Sequence, residues 1–582
     1  MSNLQKFKEL NYKIPTKSRA WRLYGKGMES FGDNKQPTSI PVKEPNDDEI
    51  LVRSDAVGLC FSDTKIIKFG QDHPRLQGRN LNSQPVIPGH EVSLTVVKAG
   101  KNRRNEYRAG ERYIIQADAY YKGRGVAYGY IIPGGLSQYG ILGKEILDGD
   151  HGSYLIPIRK KQSSYSEAAL VEPWACVVAS YRIKHRKSIK NGGSLLIIDQ
   201  NKSGRHWSFS ELFRKNTPAS IIAVGPGRET KETVESCIPS NKINIVEENT
   251  WNVHELSRKH TGEEGFDDII ILGESPSPVI SSAADNLAKY GILNYMADDP
   301  KKQVVDIDAG KIHYDRISFV GSMDNDVASS YTKNLDYSVK GPSEILFGAG
   351  GPMGQMHVQL ALEEENPPQT IVATDISEER TQVLKENFTG PARKKGVNFY
   401  AINPNNFTDK QSYIRELFNI NGDSPYDYVV CLAAIPAVIE EASSFLGRNA
   451  VLNVFAGVSK GTIVKLNIKE VASKSVRFIG SSGSTIEDME YTLRKVEEGK
   501  LNTNSSVAGV AGMREVWKGL EAVKNGTFAG KILVYPHIKD LELMDLSQLK
   551  EKYPEIGRSL SSDGKWTREA EAALLERFLE VK

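Results

Sequence analysis

Several things are scarce in this 582-residue chain, and each scarcity excludes something. It has four cysteines, Cys60, Cys176, Cys237 and Cys431, far apart and with no CxxC pair. That excludes a disulfide framework and a paired-cysteine zinc knuckle, and it fits a reducing cytoplasm. No run of about 18 or more apolar residues occurs, so no membrane span is expected. Met1 to Arg22 is polar and basic without an apolar centre, so no secretory leader is expected and the location expected is cytoplasmic. Charge of one sign is also missing: 75 Lys and Arg stand against 73 Asp and Glu, net +2. A nucleic-acid partner is therefore not expected.

What is present is a set of unlike donors in the first third of the chain. Cys60-Phe61-Ser62-Asp63, Gly89-His90-Glu91 and Val171-Glu172-Pro173 supply a thiolate, an imidazole and two carboxylates. Soft sulfur, borderline nitrogen and hard oxygen together suit zinc. Mixed ligation with one position left for water or substrate is the pattern of a catalytic zinc.

Residues 40–160 read as short strands and Gly/Pro turns, with strands at Glu49–Arg53 and Glu111–Ile115. A helix is expected from Ser166 as N-cap through Ala168-Ala169-Leu170, with Pro173 near a boundary. From about 190, short apolar strands alternate with amphipathic stretches, as in βαβ units around a parallel sheet. At 582 residues, more than one core is expected.

The α/β pattern occurs twice. Gly265–Leu272 matches Pro425–Leu432, and Asp315–Ser322 matches Lys474–Ser481. The offsets are 160 (Asp267 to Asp427) and 159 (Phe319 to Phe478). Two matched blocks in one order at nearly the same offset indicate a duplicated domain of about 150 residues. The second copy runs from Ser343–Phe347 into Gly348-Ala349-Gly350-Gly351-Pro352-Met353-Gly354 and then a helix expected over Gln355–Glu364. Glycines allow close backbone approach, and a helix N-terminus offers free N–H groups to a pyrophosphate. In the fingerprint Ala349 takes the first glycine position, Gly351 and Gly354 the second and third. The strand Thr370–Thr374 then ends at Asp375, where an acid hydrogen-bonds an adenosine ribose. That acid favours NAD over NADP. Pro352, Met353 and Arg380 complete the expected cofactor contacts. The first copy has a strand at Gly193–Asp199 but Gln200-Asn201-Lys202 in the turn, and Ser220–Val224 runs into Gly225-Pro226-Gly227-Arg228 without an acid. It reads as a degenerate copy.

These residues together resemble the medium-chain, zinc-dependent alcohol and polyol dehydrogenases, especially the sorbitol-dehydrogenase-like branch. The resemblance covers about 45–185, 340–480 and 505–535. It implies a GroES-like, mostly β catalytic domain at 1–185, completed by 503–540. It also implies a Rossmann domain at 340–502, leaving the degenerate Rossmann-like copy at 190–338 and a helical tail at 541–582 outside the usual plan. Cys60 and His90 match zinc ligands. Glu172 and Glu91 both match carboxylates that complete the set; Glu172 is favoured, with Glu91 exchanging or one layer out. Asp63 matches the acid that orients the ligating His, and Ser62 the hydroxyl that takes the alcohol proton. Phe61 departs from the usual glycine. No cysteine cluster stands where relatives hold a structural zinc, so one zinc is expected.

The activity this implies is zinc-dependent hydride transfer between NAD and a secondary alcohol of a polyol or sugar derivative, in a homo-oligomer. A ketose-phosphate reductase would use basic residues such as Arg112, Lys122 or Arg124. A non-catalytic NAD-binding scaffold would explain the degenerate copy differently.

Overall fold

The computed structural model describes residues 1–76, 78–183, 185–200, 204–214, 216–238, 245–332 and 342–579. The chain forms two compact units, one of 1–179, 351–356 and 483–582, the other of 180–350 and 357–482.

The first unit is built on an eight-stranded sheet. Its strands run in the order Met544–Asp545, Val507–Gly512, Lys531–Tyr535, Ile50–Gly58, Glu91–Ala99, Arg112–Ile115 and Leu155–Pro157, with Tyr139–Leu142 pairing Ile50–Gly58 off that path. Ile50–Gly58 is buried along its whole length. Its two charged residues therefore pair with each other, Arg53 Nε donating to Asp55 Oδ1 at 2.7 Å. The Arg53 fork also donates to the Phe7 carbonyl at 2.6 Å, which ties the N-terminal helix Asn3–Lys8 to the sheet.

The C-terminal tail belongs to this unit. The buried Glu571 carboxylate accepts the backbone N–H groups of Tyr165 and Ser166, each at 2.7 Å, at the start of the helix Tyr165–Ala169. A carboxylate there satisfies donors that a helix N-terminus leaves unpaired. The N-cap of that helix is Ser164, in a capping box with Glu167, and not the expected Ser166. Both serines are two residues apart beside one acid, and Glu167 at N3 decides for Ser164.

The second unit holds two six-stranded parallel sheets. One orders its strands Ile245–Glu248, Ser220–Val224, Ser194–Asp199, Phe266–Leu272, Leu287–Met296, Ser318–Ser322. The other orders them Asn398–Ile402, Thr370–Thr374, Ser343–Phe347, Tyr426–Cys431, Leu446–Val454, Arg477–Ile479. Both follow the 3-2-1-4-5-6 order of doubly wound dinucleotide folds. Central strands such as Thr370–Thr374 are buried on both faces, which is why they read as continuous apolar runs. The fold is α/β: a GroES-like, mostly β domain with two tandem Rossmann-like sheets.

The first sheet is the degenerate one in a specific way. None of the described residues between Asp199 and Ser220 is helical. Trp207, Phe209, Leu212 and Phe213 instead pack with Ile197, Ile221 and Ile270 in one apolar cluster. The helix Ile486–Glu497, expected with the dinucleotide sheet, lies in the first unit. There Gln116 Nε2 donates to the Ser484 carbonyl at 2.7 Å, and Glu497 Oε1 accepts from the Arg159 and Lys160 backbone at 2.6 and 2.8 Å.

Candidate metal centre and dinucleotide turn

Cys60 sits at the N-cap of the helix Phe61–Phe69. That position sets the sulfur beside the positive end of the helix dipole. Asp63, fully buried in the first turn, accepts from the Cys60 N–H at 3.0 Å and the Gly89 N–H at 3.2 Å. One carboxylate thus clamps the loops that carry Cys60 and His90. Gly89 has φ +94°, a conformation glycine adopts freely. The same Asp63 lies 3.4 Å from His90 Nδ1, leaving Nε2 to face inward. Burial pulls the His90 imidazole down, but the charge and hydrogen bond of Asp63, joined by Cys60, outweigh it and raise it well above the ordinary value.

The ligand atoms of Cys60, His90 and Glu91 all lie within 4.8 Å of one another, a group that could hold one ion. Glu91 is fully buried opposite Gly58, where a Cβ would overlap its Oε2. That oxygen has no hydrogen-bond partner. A buried, unpaired carboxylate oxygen beside a thiol and an imidazole fits a cation. Zinc suits this donor set. The other Glu91 oxygen binds the buried Lys531 ammonium. Burial lowers the Lys531 pKa, and the charge of Glu91 more than reverses this.

Glu172 opens the helix Val171–Ser180 and lies outside the converging trio. Its Oε1 is 3.9 Å from Cys176 Sγ. Burial raises its pKa well above the carboxylate range; His90 opposes this and Glu91 adds to it. Glu172 therefore feels the centre electrostatically. Ser62 Oγ is 3.1 Å from Cys60 Sγ and 3.3 Å from His90 Nε2, so its hydroxyl borders the same space.

Two residues around the centre, Lys531 and Arg75, were not singled out from the sequence. Lys531 was visible as a lone cation in the apolar run Ile532-Leu533-Val534, and a buried cation requires an acid. Tyr130 lies 6.2 Å from the His90 ring, with the Arg75 guanidinium 4.8 Å from its centroid. Arg75 pairs with Asp118 at 2.5 Å. Loop residues such as these carry no periodic signal. Of the basic residues considered for a phosphate, Arg112 donates to the Ser163 and Ser164 carbonyls at 2.6 and 3.2 Å and spans the Tyr165 ring. Lys122 and Arg124 sit at the short hairpin Tyr120–Tyr121 with Arg124–Gly125.

In the second unit, Ser343–Phe347 ends at Gly348, φ +79°. The Gly350 N–H donates to Asp375 Oδ2 at 3.0 Å, and the Ser377 N–H donates to Oδ1 at 3.0 Å. A Cβ at Gly350 would come within 2.6 Å of Arg380 Cβ and 2.7 Å of Asp375 Oδ2. Gly348 and Gly350, not among the expected cofactor residues, are thus the glycines that the local backbone requires. Gly351 has open space where its Cβ would be. The helix that follows is Pro352–Glu363, beginning three residues before the expected start because proline suits a first helical position. In the first sheet the tie is reversed: Asp199, ending the first strand, accepts the Gly227 N–H at 3.1 Å.

Two family models match the chain. One, described as alcohol dehydrogenase GroES-like domain, covers residues 46–147. The other, described as zinc-binding dehydrogenase, covers 352–498. The mannitol-1-phosphate 5-dehydrogenase of Aliivibrio fischeri is 23% identical over 552 residues, covering 91% of this chain and 92% of that protein. The L-sorbose 1-phosphate reductase of Klebsiella pneumoniae is 27% identical over 323 residues, 52% of this chain and 74% of that one. Among solved structures, 2R,3R-butanediol dehydrogenase from Bacillus subtilis superposes with TM-score 0.47 at 14% identity, over 89% of this chain and 99% of that one.

Proposed function

We propose, for a chain that belongs to the zinc-dependent medium-chain alcohol and polyol dehydrogenase family, that it transfers hydride between NAD and a secondary alcohol of a polyol or sugar derivative. The convergence of Cys60, His90 and Glu91 around one buried space, with the Ser62 hydroxyl at its border, carries the reading.

Cys60, His90 and Glu91 would hold zinc, with Glu172 as a carboxylate able to exchange. A zinc ion there supplies Lewis acidity that lowers the pKa of a bound hydroxyl. Asp63 fixes the His90 ring and the Cys60 loop together, so the donors are in place before a metal arrives. Lys531 pairs with Glu91 inside the protein and offsets the charge of that carboxylate. Ser62 accepts the alcohol proton and passes it outward. Gly350, Gly351 and Asp375 would hold NAD, which would supply the acceptor for the hydride of the substrate C–H bond, the alcohol becoming a ketone. Asp375, at the end of its strand and tied to Gly350, supports NAD over NADP because a carboxylate repels a 2′-phosphate.

A second reading, a phosphorylated sugar as substrate, has its own support. Two of the relatives named above act on sugar phosphates by their names. Beside the centre, Arg75 and Lys65 both lower the His73 pKa, after burial, to about 4. Of these cations, Arg75 stands one ring away from His90, through Tyr130.

The test is NADH absorbance with a panel of free and phosphorylated polyols, run beside zinc analysis of the same preparation. Turnover that requires zinc and is lost in Cys60→Ser supports the reading. Full activity in zinc-free protein overturns it.

A further inference from the structure

Away from the metal centre, the strand Val304–Asp308 of the first parallel-sheet half pairs antiparallel with Ile463–Asn467 of the second. Under the offset of 159 that relates the halves, Val304 corresponds to Ile463 and Asp308 to Asn467. The observed register pairs Val304 with Asn467 and Asp308 with Ile463. Its centre pairs Asp306 with Lys465, which are each other's counterparts. Each strand therefore meets its own equivalent about a local two-fold axis.

The same symmetry recurs in independent contacts. The Ile468 N–H donates to the Gln303 carbonyl and the Ala309 N–H to the Thr462 carbonyl, both within 3.0 Å; 309 corresponds to 468 and 303 to 462. Phe319 packs edge-to-face on Phe478, its counterpart, with centroids 5.9 Å apart. Gly321 leaves room for Ala472, and Gly480 leaves room for His313; 321 corresponds to 480 and 313 to 472. The buried faces match too: Val305 opposes Leu466 and Ile307 opposes Val464, all in one core. Reciprocal contact of residue i with j and j-equivalent with i-equivalent defines an isologous interface, the kind that normally joins two copies of a chain.

We infer that the first parallel sheet serves as a built-in partner subunit, filling the isologous surface of the dinucleotide sheet so that no second copy of the chain docks there. An unpaired strand edge with an apolar face is a template for self-association, and here it is covered in cis. The expected homo-oligomer therefore does not form through this edge. The inference does not rest on the proposed activity.

The experiment places cysteines at the dyad in the full chain and oxidises dilute protein, with the parent chain as background. Asp306→Cys with Lys465→Cys is expected to give a crosslink within one chain, at single-chain mass on a non-reducing gel. Lys465→Cys alone is expected to give no covalent dimer, because its opposite residue is Asp306 and not another copy of itself. A covalent dimer from Lys465→Cys alone, or from the double variant, overturns the inference. So does a double variant that stays soluble and NAD-responsive with both new thiols free. Sedimentation of Val464→Asp, which puts a charge into the shared core, gives a second readout: exposing the edge is expected to make self-association concentration-dependent where the parent shows none through this surface. If Val464→Asp leaves sedimentation and thermal melting unchanged, the pairing is absent and the inference fails.

Discussion

Lys531 and Glu91 form a buried ion pair beside the proposed metal centre, with 6% and 0% of their side chains exposed. The two residues come from strands of one sheet separated by over four hundred positions, so this pair also fastens the late strand Lys531–Tyr535 to the early loops. Breaking such a pair on one side leaves an uncompensated charge. Lys531→Met is expected to destabilise metal-stripped protein by about 3–5 kcal/mol. Adding Glu91→Gln should recover part of the loss. Chemical denaturation of the four proteins in a double-mutant cycle measures this, and equal stabilities for single and double variants would refute it.

The two carboxylates near Cys60 should separate on zinc affinity. Glu91→Gln removes a proposed donor. Glu172→Gln changes a neighbour that senses the centre, and is expected to weaken zinc by about 10-fold, as for an outer partner. Glu91→Gln should weaken it further. Competition with a chromogenic chelator gives both constants; the opposite ranking would make Glu172 the donor.

At the dinucleotide turn, Gly350 and Gly351 should respond differently to alanine. At Gly350 a methyl group meets Asp375 and Arg380 in the ligand-free protein, so Gly350→Ala should cost about 1–3 kcal/mol of stability. At Gly351 the space is open, so stability should hold while NAD binds more weakly, because that backbone must approach the pyrophosphate. Melting curves without ligand, followed by NAD titration, distinguish the two. Equal melting temperatures for both variants would contradict the packing argument.

Glu344 is buried with Tyr181 OH donating to its Oε1 at 2.9 Å, and Tyr181 also within 2.6 Å of His357 Nδ1. Burial pushes the Glu344 carboxyl up to about 8, with the Tyr181 hydrogen bond pulling the other way. A folded pKa above the unfolded one means the folded state holds the extra proton between the two. Stability then falls as pH rises from about 4.5 toward about 8, by an amount on the order of a few kcal/mol. Glu344→Gln should flatten this slope and gain on the parent most at pH 8. Urea midpoints at pH 5 and pH 8 test it; parallel behaviour of parent and variant would count against a neutral buried Glu344.

Much of the fold was legible because it rests on local pattern. Thr370–Thr374 and Ser220–Val224 were readable to the residue, since buried parallel strands are bare apolar runs between turns. The two-copy plan was readable from Phe319 and Phe478 at one offset. The convergence of Cys60 with His90 followed from two short motifs. Other features were not legible. Which carboxylate joins them depends on a β-sheet register that places Glu91 opposite Gly58. Lys531 reaches Glu91 through tertiary pairing of the returning strand. The membership of Ile486–Glu497 turns on side-chain bonds to Gln116 and to the backbone at 159–160. None of these leaves a mark on nearby sequence.

The antiparallel seam between Val304–Asp308 and Ile463–Asn467 has a consequence for how the chain can change. When two identical chains meet across an axis, every substitution arrives on both sides at once. Here the sides are separate stretches of one gene product, so either can drift while the other is held. A glycine-rich turn could thus survive at 348–354 while its counterpart became Gln200 and its neighbours, with the seam left intact. Because both sides travel on one backbone, their encounter is set by tether length and not by how much protein a cell makes.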